Sequence, residues 1–150
     1  MNSYVEHAQI FVVDLDRTAT FYLELFPEWR IRGRGREVAG SRRYNWIHIG
    51  DDHTYLAFRG GYEGMSEPAP SVEKQCNHVG IVVPEIAEKE RVLRQLGAPM
   101  VRSTHPARVR VYTRDPDGYE IELIQYLSEE VGARNDYDWC VRNGITAPVT

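Results

Sequence analysis

The sequence predicts an α+β fold: two βαβββ modules in one chain, forming a cupped mixed sheet around a central site. Three observations carry this. The segment from His7 to Leu15 matches the segment from His78 to Ile86 without a gap, at an offset of 71 residues. Each copy continues in the same way, with a helical apolar stripe followed by three β-like stretches. The two otherwise apolar opening strands carry a histidine at the matching position, His7 and His78.

In the first copy, Ala8, Ile10 and Val12 form an apolar strand face, while His7, Gln9 and Phe11 point the other way. Asp14 or Asp16 can cap the following helix, whose stripe is Leu15, Ala19, Tyr22 and Phe26. The stretches 29–36, 43–49 and 54–58 read as strands between Gly, Ser and Asp turns. In the second copy the opening strand presents Val79, Ile81 and Val83 on its apolar face. The helix stripe is Ile86, Leu93 and Leu96, and Gly97 suits the residue just past the helix end. Strands are expected at 100–103, 109–113 and 120–126, the last two joined by the turn Asp115-Pro116-Asp117-Gly118. Module one thus spans about 5–60, a Gly-, Pro- and Ser-rich linker 61–74, and module two about 75–127. The tail 128–150 has no counterpart in the repeat, and its Tyr137 and Trp139 suggest docking.

Composition bounds the function. A chain of 150 residues with 42% hydrophobic residues has the length of one domain and enough apolar side chains for a core. A net charge of −4 argues against a general nucleic-acid binder or a ligand of anionic membranes. No apolar run is long enough to span a bilayer, and the first residues lack the pattern of a signal peptide. Only two cysteines occur, Cys76 and Cys140, so a disulfide framework is not expected and the cytoplasm is the expected location.

The repeat also points to a metal. Two similar modules tend to pack about a pseudo-twofold axis, which brings equivalent residues such as His7 and His78 toward each other. In the final strand Ile121 and Leu123 share the core face, so Glu120 and Glu122 share the other. A carboxylate on an apolar strand is costly to desolvate unless paired or ligated. Two imidazoles and a carboxylate suit a divalent first-row metal with positions left for substrate. Glu120 is the alternative to Glu122, and Cys76 reads as a small buried thiol.

The paired modules, His7, His78 and the run Asp115-Pro116-Asp117-Gly118-x-x-x-Glu122-Leu123 resemble the vicinal oxygen chelate superfamily over about residues 5–127. That family includes glyoxalase I, extradiol dioxygenases, methylmalonyl-CoA epimerase, fosfomycin-modifying enzymes and bleomycin-resistance proteins. The resemblance implies ligands on the first and last strands of each module, hence His7, His78 and Glu122, with Ala57 at the fourth position and Tyr55 and His53 as its same-face neighbours. Glyoxalase I would call for a carboxylate at Ala57. The remaining set resembles that of Fe(II) dioxygenases, and fosfomycin-modifying enzymes use a similar one. The spacing His105, Val111-Tyr112, Asp115-Pro116, Gly118 and Glu122 is similar to an extradiol motif, although Ser103 departs from it. It implies that His105 and Tyr112 handle substrate protons.

The favoured expectation is therefore a divalent-metal enzyme acting on a small oxygen-bearing substrate, resembling extradiol dioxygenases. Fe(II) is the expected ion, with Mn(II), Ni(II) or Zn(II) as alternatives, and a homodimer is the expected assembly. A glyoxalase-type lyase or isomerase, or a fosfomycin-modifying-like transferase, is the runner-up. A metal-free ligand-sequestering protein of the bleomycin-resistance type is the third reading. The alternating arginines Arg30, Arg32, Arg34 and Arg36, with Arg42-Arg43-Tyr44-Asn45-Trp46, read as a solvated strand face, as an RNA-binding strip, or as a contact for a substrate carboxylate or phosphate.

Overall fold

The computed structural model describes residues 4–39, 42–60, 78–136, 139 and 142–143. The linker 61–74, together with Cys76, Tyr137 and Cys140, lies outside the described residues. The elements are β1 (His7–Val12), α1 (Leu15–Leu25), β2 (Arg30–Ala39), β3 (Arg42–Gly50), β4 (Tyr55–Gly60), β5 (His78–Val82), α2 (Ile86–Gln95), β6 (Met100–His105), β7 (Arg108–Arg114), β8 (Glu120–Tyr126) and α3 (Val131–Arg134). They form two four-stranded sheets of matching order, β1-β4-β3-β2 and β5-β8-β7-β6. The expected βαβββ architecture is therefore present twice. By its contacts the chain divides into two compact units, Met1–Val79 with Arg114–Tyr119, and Gly80–Thr113 with Glu120–Thr150.

The first sheet is mixed: β1 and β4 are parallel, while β2–β3 and β3–β4 are antiparallel. Alternation sorts its residues as the sequence pattern requires. Ile10, Val12, Ile47, Ile49, Leu56 and Phe58 are buried against α1 residues Leu15, Ala19, Tyr22 and Leu25. Full burial of a side chain such as Phe58 stabilises the unit by about 2 kcal/mol. Asp14 is the N-cap of α1, and its carboxylate accepts the amides of Asp16 and Arg17. β2 and β4 begin one residue later than the sequence suggests and run further at their far ends. Asp51 accepts the amides of His53 and Thr54, so β4 starts at Tyr55, and Trp29 stacks on Phe26 before β2 begins.

The Asp115–Gly118 turn lies in this first unit. Asp115 accepts the amides of Asp117 and Tyr119 and, at 3.3 Å, the hydroxyl of Tyr22. Gly118 takes the left-handed conformation that the turn needs, at φ 79°. Asp117 accepts the Val13 amide at 3.0 Å and pairs with Arg17. A turn from the second sequence repeat thus holds the β1–α1 corner.

In the second unit, Glu85 caps α2 and Gly97 follows its end at φ 67°. Ile86, Leu93, Ile121 and Leu123 are buried. The tail does dock through Trp139, which meets the His105 ring edge-on at 4.7 Å. Arg134 lies over the Tyr126 ring and donates to the Ser128 carbonyl, and Arg108 donates to the Arg134 carbonyl.

Candidate functional site

Each sheet presents one polar face, and each unit is built up separately below. On the first sheet the register places Tyr55 beside His7, and Ala57 between Gln9 of β1 and His48 of β3. The side chains alternating away from the core are thus His7 and Gln9 on β1, Tyr44, Trp46 and His48 on β3, and Tyr55, Ala57 and Arg59 on β4. Four rings form a continuous row. His7 stacks on Tyr55 at 4.8 Å, Tyr55 meets His48 at 4.7 Å, and His48 meets Trp46 at 4.7 Å. His7 Nδ1 also pairs with Glu6 at 3.1 Å.

His48 is the residue that sequence reasoning missed. The readable signal was its cross-strand position beside Ala57, which depends on a register that a sequence does not print. Burial, then the positive potentials of His7, Arg32 and Arg59, hold its pKa below the ordinary histidine value. A neutral imidazole at physiological pH keeps one nitrogen as an acceptor. His53, the other neighbour considered for the Ala57 position, lies instead in the exposed Asp51 turn.

In the second unit, Glu122 sits on β8 with its side chain 12% exposed. Tyr112 of β7 donates its hydroxyl to Glu122 Oε1 at 2.9 Å, and Arg110 approaches the same oxygen at 3.7 Å. Arg110 also donates to Ser103 at 3.3 Å. Burial, then the bond to Glu122, raises the Tyr112 pKa, so the phenol is the donor at neutral pH. A side chain at Gly80 would stand in ordinary contact with Glu122 Oε2, at 3.9 Å. Arg110 was also missed, because nothing in its spacing separates it from the other exposed-strand arginines.

His105 is buried, and both its ring nitrogens face main chain. Nδ1 accepts the Ala107 amide at 3.1 Å, and Nε2 lies 3.2 Å from the Asp136 carbonyl. Main-chain groups thus stand at both ring nitrogens. His78 opens β5, half-buried. Among the described residues, neither unit by itself gathers three His, Cys, Asp or Glu side chains within reach of one metal ion. His7 and His78 belong to the first unit and Glu122 to the second. By type alone, imidazoles and a carboxylate are donors that a divalent first-row ion accepts.

Comparison with known proteins agrees with this architecture. The family model described as Glyoxalase/Bleomycin resistance protein/Dioxygenase superfamily matches residues 4–123. A lactoylglutathione lyase of Haemophilus influenzae is 27% identical over 146 residues, covering 86% of this chain and 97% of the relative. The glyoxalase I structure of Leishmania major superposes with a TM-score of 0.69 at 22% identity, over 97% of this chain and 100% of that one. A fosfomycin resistance protein of Listeria monocytogenes, solved with Mn(II) and sulfate, gives a TM-score of 0.61 at 18% identity, over 89% and 98% of the two chains. At these identities the two structural likenesses speak for the fold.

Proposed function

Because the chain belongs to the glyoxalase/bleomycin resistance protein/dioxygenase superfamily, we propose that it is a divalent-metal-dependent enzyme acting on a small oxygen-bearing substrate, with His7, His78 and Glu122 as its metal donors. The observation that carries this reading is the preparation of Glu122. Its carboxylate is mostly buried and oriented by the Tyr112 hydroxyl. Such oriented carboxylates are typical of ligands whose partners fix their geometry. When bound, the metal supplies Lewis-acid polarisation of the substrate oxygens and, as Fe(II), redox capacity.

The reaction we favour is an extradiol-type dioxygenation with Fe(II). The three-donor set supports it, and so does Ala57, which denies the chain the second carboxylate that a glyoxalase I shuttle employs. In this reading Tyr112 is the side chain that handles a substrate proton, while His105 holds the tail. A specific observation favours a second reading, glyoxalase-type isomerisation. His48 stands in register with Ala57 and offers a neutral imidazole where the carboxylate is missing. Likeness to a lactoylglutathione lyase over 86% of this chain points the same way.

The test is anaerobic reconstitution with Fe(II), Mn(II), Ni(II) or Zn(II), with elemental analysis, then assays in parallel. We expect close to one ion per chain, and strong loss of occupancy in His7→Ala, His78→Ala and Glu122→Gln. Oxygen uptake with a catechol under Fe(II) supports the first reaction. Turnover of the methylglyoxal–glutathione adduct under Ni(II) or Zn(II), without oxygen uptake, replaces it with the second. Failure to take up any of the four ions overturns the metal reading.

A further inference from the structure

The second sheet holds one cation from which the fold gains little. On β7, Val109, Val111 and Thr113 are buried on the core side, so Arg110 and Tyr112 stand on the polar side. Arg110 lies opposite Ser103 of β6 in the strand register. Only 19% of its side chain is exposed. A guanidinium carries several N–H donors, and a charge taken this far from water is costly unless it is paired and hydrogen-bonded. Arg110 meets those demands only in part. Its Nη1 stays 3.7 Å from Glu122 Oε1, beyond hydrogen-bond reach, and its Nη2 makes a long bond of 3.3 Å to the Ser103 hydroxyl. Its Nε is buried without a hydrogen-bond partner among the described residues.

Neither neighbour accounts for the charge. Glu122 takes its close hydrogen bond, at 2.9 Å, from the Tyr112 hydroxyl, so its orientation does not require Arg110. Ser103 needs no charged donor. More exposed arginines of the same unit make closer pairs: Arg102 meets Glu90 at 2.5 Å, and Arg134 meets Glu129 at 2.8 Å. A mostly buried guanidinium with two loosely held Nη groups is a fork suited to a planar oxyanion. The Glu122 charge beside it opposes a doubly charged phosphate more strongly than a carboxylate. The same charge competes with an incoming anion until something else engages it.

We infer that Arg110 is a specificity-determining residue that receives the carboxylate of a small ligand on the polar face of the second sheet, with Glu122 as its resting counter-ion. Engagement of Glu122 by a metal relieves the competition, so metal and carboxylate favour each other's binding reciprocally. The inference deepens the functional reading above and rests on it for the claim that the carboxylate belongs to the substrate. The binding itself needs only Arg110 and its neighbours in the second unit.

Acetate titration of chelator-treated, isotope-labelled protein tests it, followed by calorimetry and by the Nε–H nuclear magnetic resonance signal of Arg110. Burial protects that proton from exchange with water, and Arg110→Lys identifies the signal by removing it. Acetate should move the signal, and acetamide should bind about tenfold more weakly. Inorganic phosphate should also bind more weakly than acetate. Glu122→Gln removes the counter-ion and keeps Arg110, so acetate should bind about fivefold more tightly to it. Adding Arg110→Gln to that variant should abolish the gain at an unchanged thermal midpoint, and Arg110→Lys should recover part of it. Equal affinity for acetamide and acetate, tighter binding of phosphate, or an acetate affinity unchanged in either Glu122→Gln or Arg110→Gln overturns the inference. Metal content is measured on the same samples. Acetate binding through Arg110 in a protein that takes up no metal sinks the metal reading and keeps this one. Metal uptake without a preference for acetate does the reverse.

Discussion

At the scale of single residues, the Tyr22–Asp115 contact shows how burial sets a pH response. Desolvation is the largest influence on both groups, and it raises both pKa values, although two backbone amides pull Asp115 the other way. A folded-state pKa above the unfolded value near 3.9 means that the folded chain binds more protons in that window. The contribution of Asp115 to stability is therefore complete below about pH 3.9 and is lost as pH rises through its folded pKa. Asp115→Asn keeps an acceptor for the Asp117 and Tyr119 amides and cannot ionise. Thermal melts across pH should show the variant gaining on the parent as pH rises to neutrality. A constant difference would contradict this. Asp115→Ala loses the acceptor as well and should cost about 1–3 kcal/mol at any pH. At the other cluster, Tyr112→Phe removes the donor to Glu122 Oε1. We expect metal affinity to fall on the order of tenfold, read by competition with a chelator, with the fold unchanged by circular dichroism.

At the scale of elements, the turn after β7 is the informative case. Its sequence predicts a turn between β7 and β8, and it is one. That Asp117 then reaches the Val13 amide and Arg17 at the β1–α1 corner depends on a contact across 104 residues, which no local pattern encodes. Asp117→Ala should leave an amide unpaired and cost roughly 1–2 kcal/mol, measured by urea denaturation. A loss below a few tenths would show that solvent replaces the bond. The same distinction explains what was legible elsewhere. Strand faces, the Asp14 cap and Gly97 are written in spacings of two to four residues, and they hold. His48 and Arg110 matter through cross-strand register and side-chain reach, so their sequence context shows only an imidazole on a strand and one arginine among many. His105 fits a motif by spacing, yet the tail's Trp139 and Asp136 occupy its surroundings. A motif fixes where a residue stands in the chain and leaves open which neighbours claim its nitrogens.

At the scale of the whole molecule, the remaining expectation is assembly. Each four-stranded sheet, taken by itself, ends in two edge strands: β1 and β2 in the first, β5 and β6 in the second. Unpaired edges favour pairing unless charge or cover blunts them. β2 is blunted by its arginines. The β6 edge instead shows Val101 at 67% exposed, between Met100 and Arg102. Val82 at the end of β5 and Val131 in α3 are also exposed. Single exposed apolar residues are ordinary on a monomer, but apolar side chains on an open strand edge are what a second copy would cover. We therefore expect a homodimer, and light scattering at micromolar concentration should give twice the chain mass. Val101→Lys places a charge on the β6 edge. It should shift the mass toward a single chain on dilution while leaving the circular dichroism spectrum unchanged. A single-chain mass for the unsubstituted protein at every concentration tried would refute the dimer. A dimer untouched by Val101→Lys would move the interface away from β6.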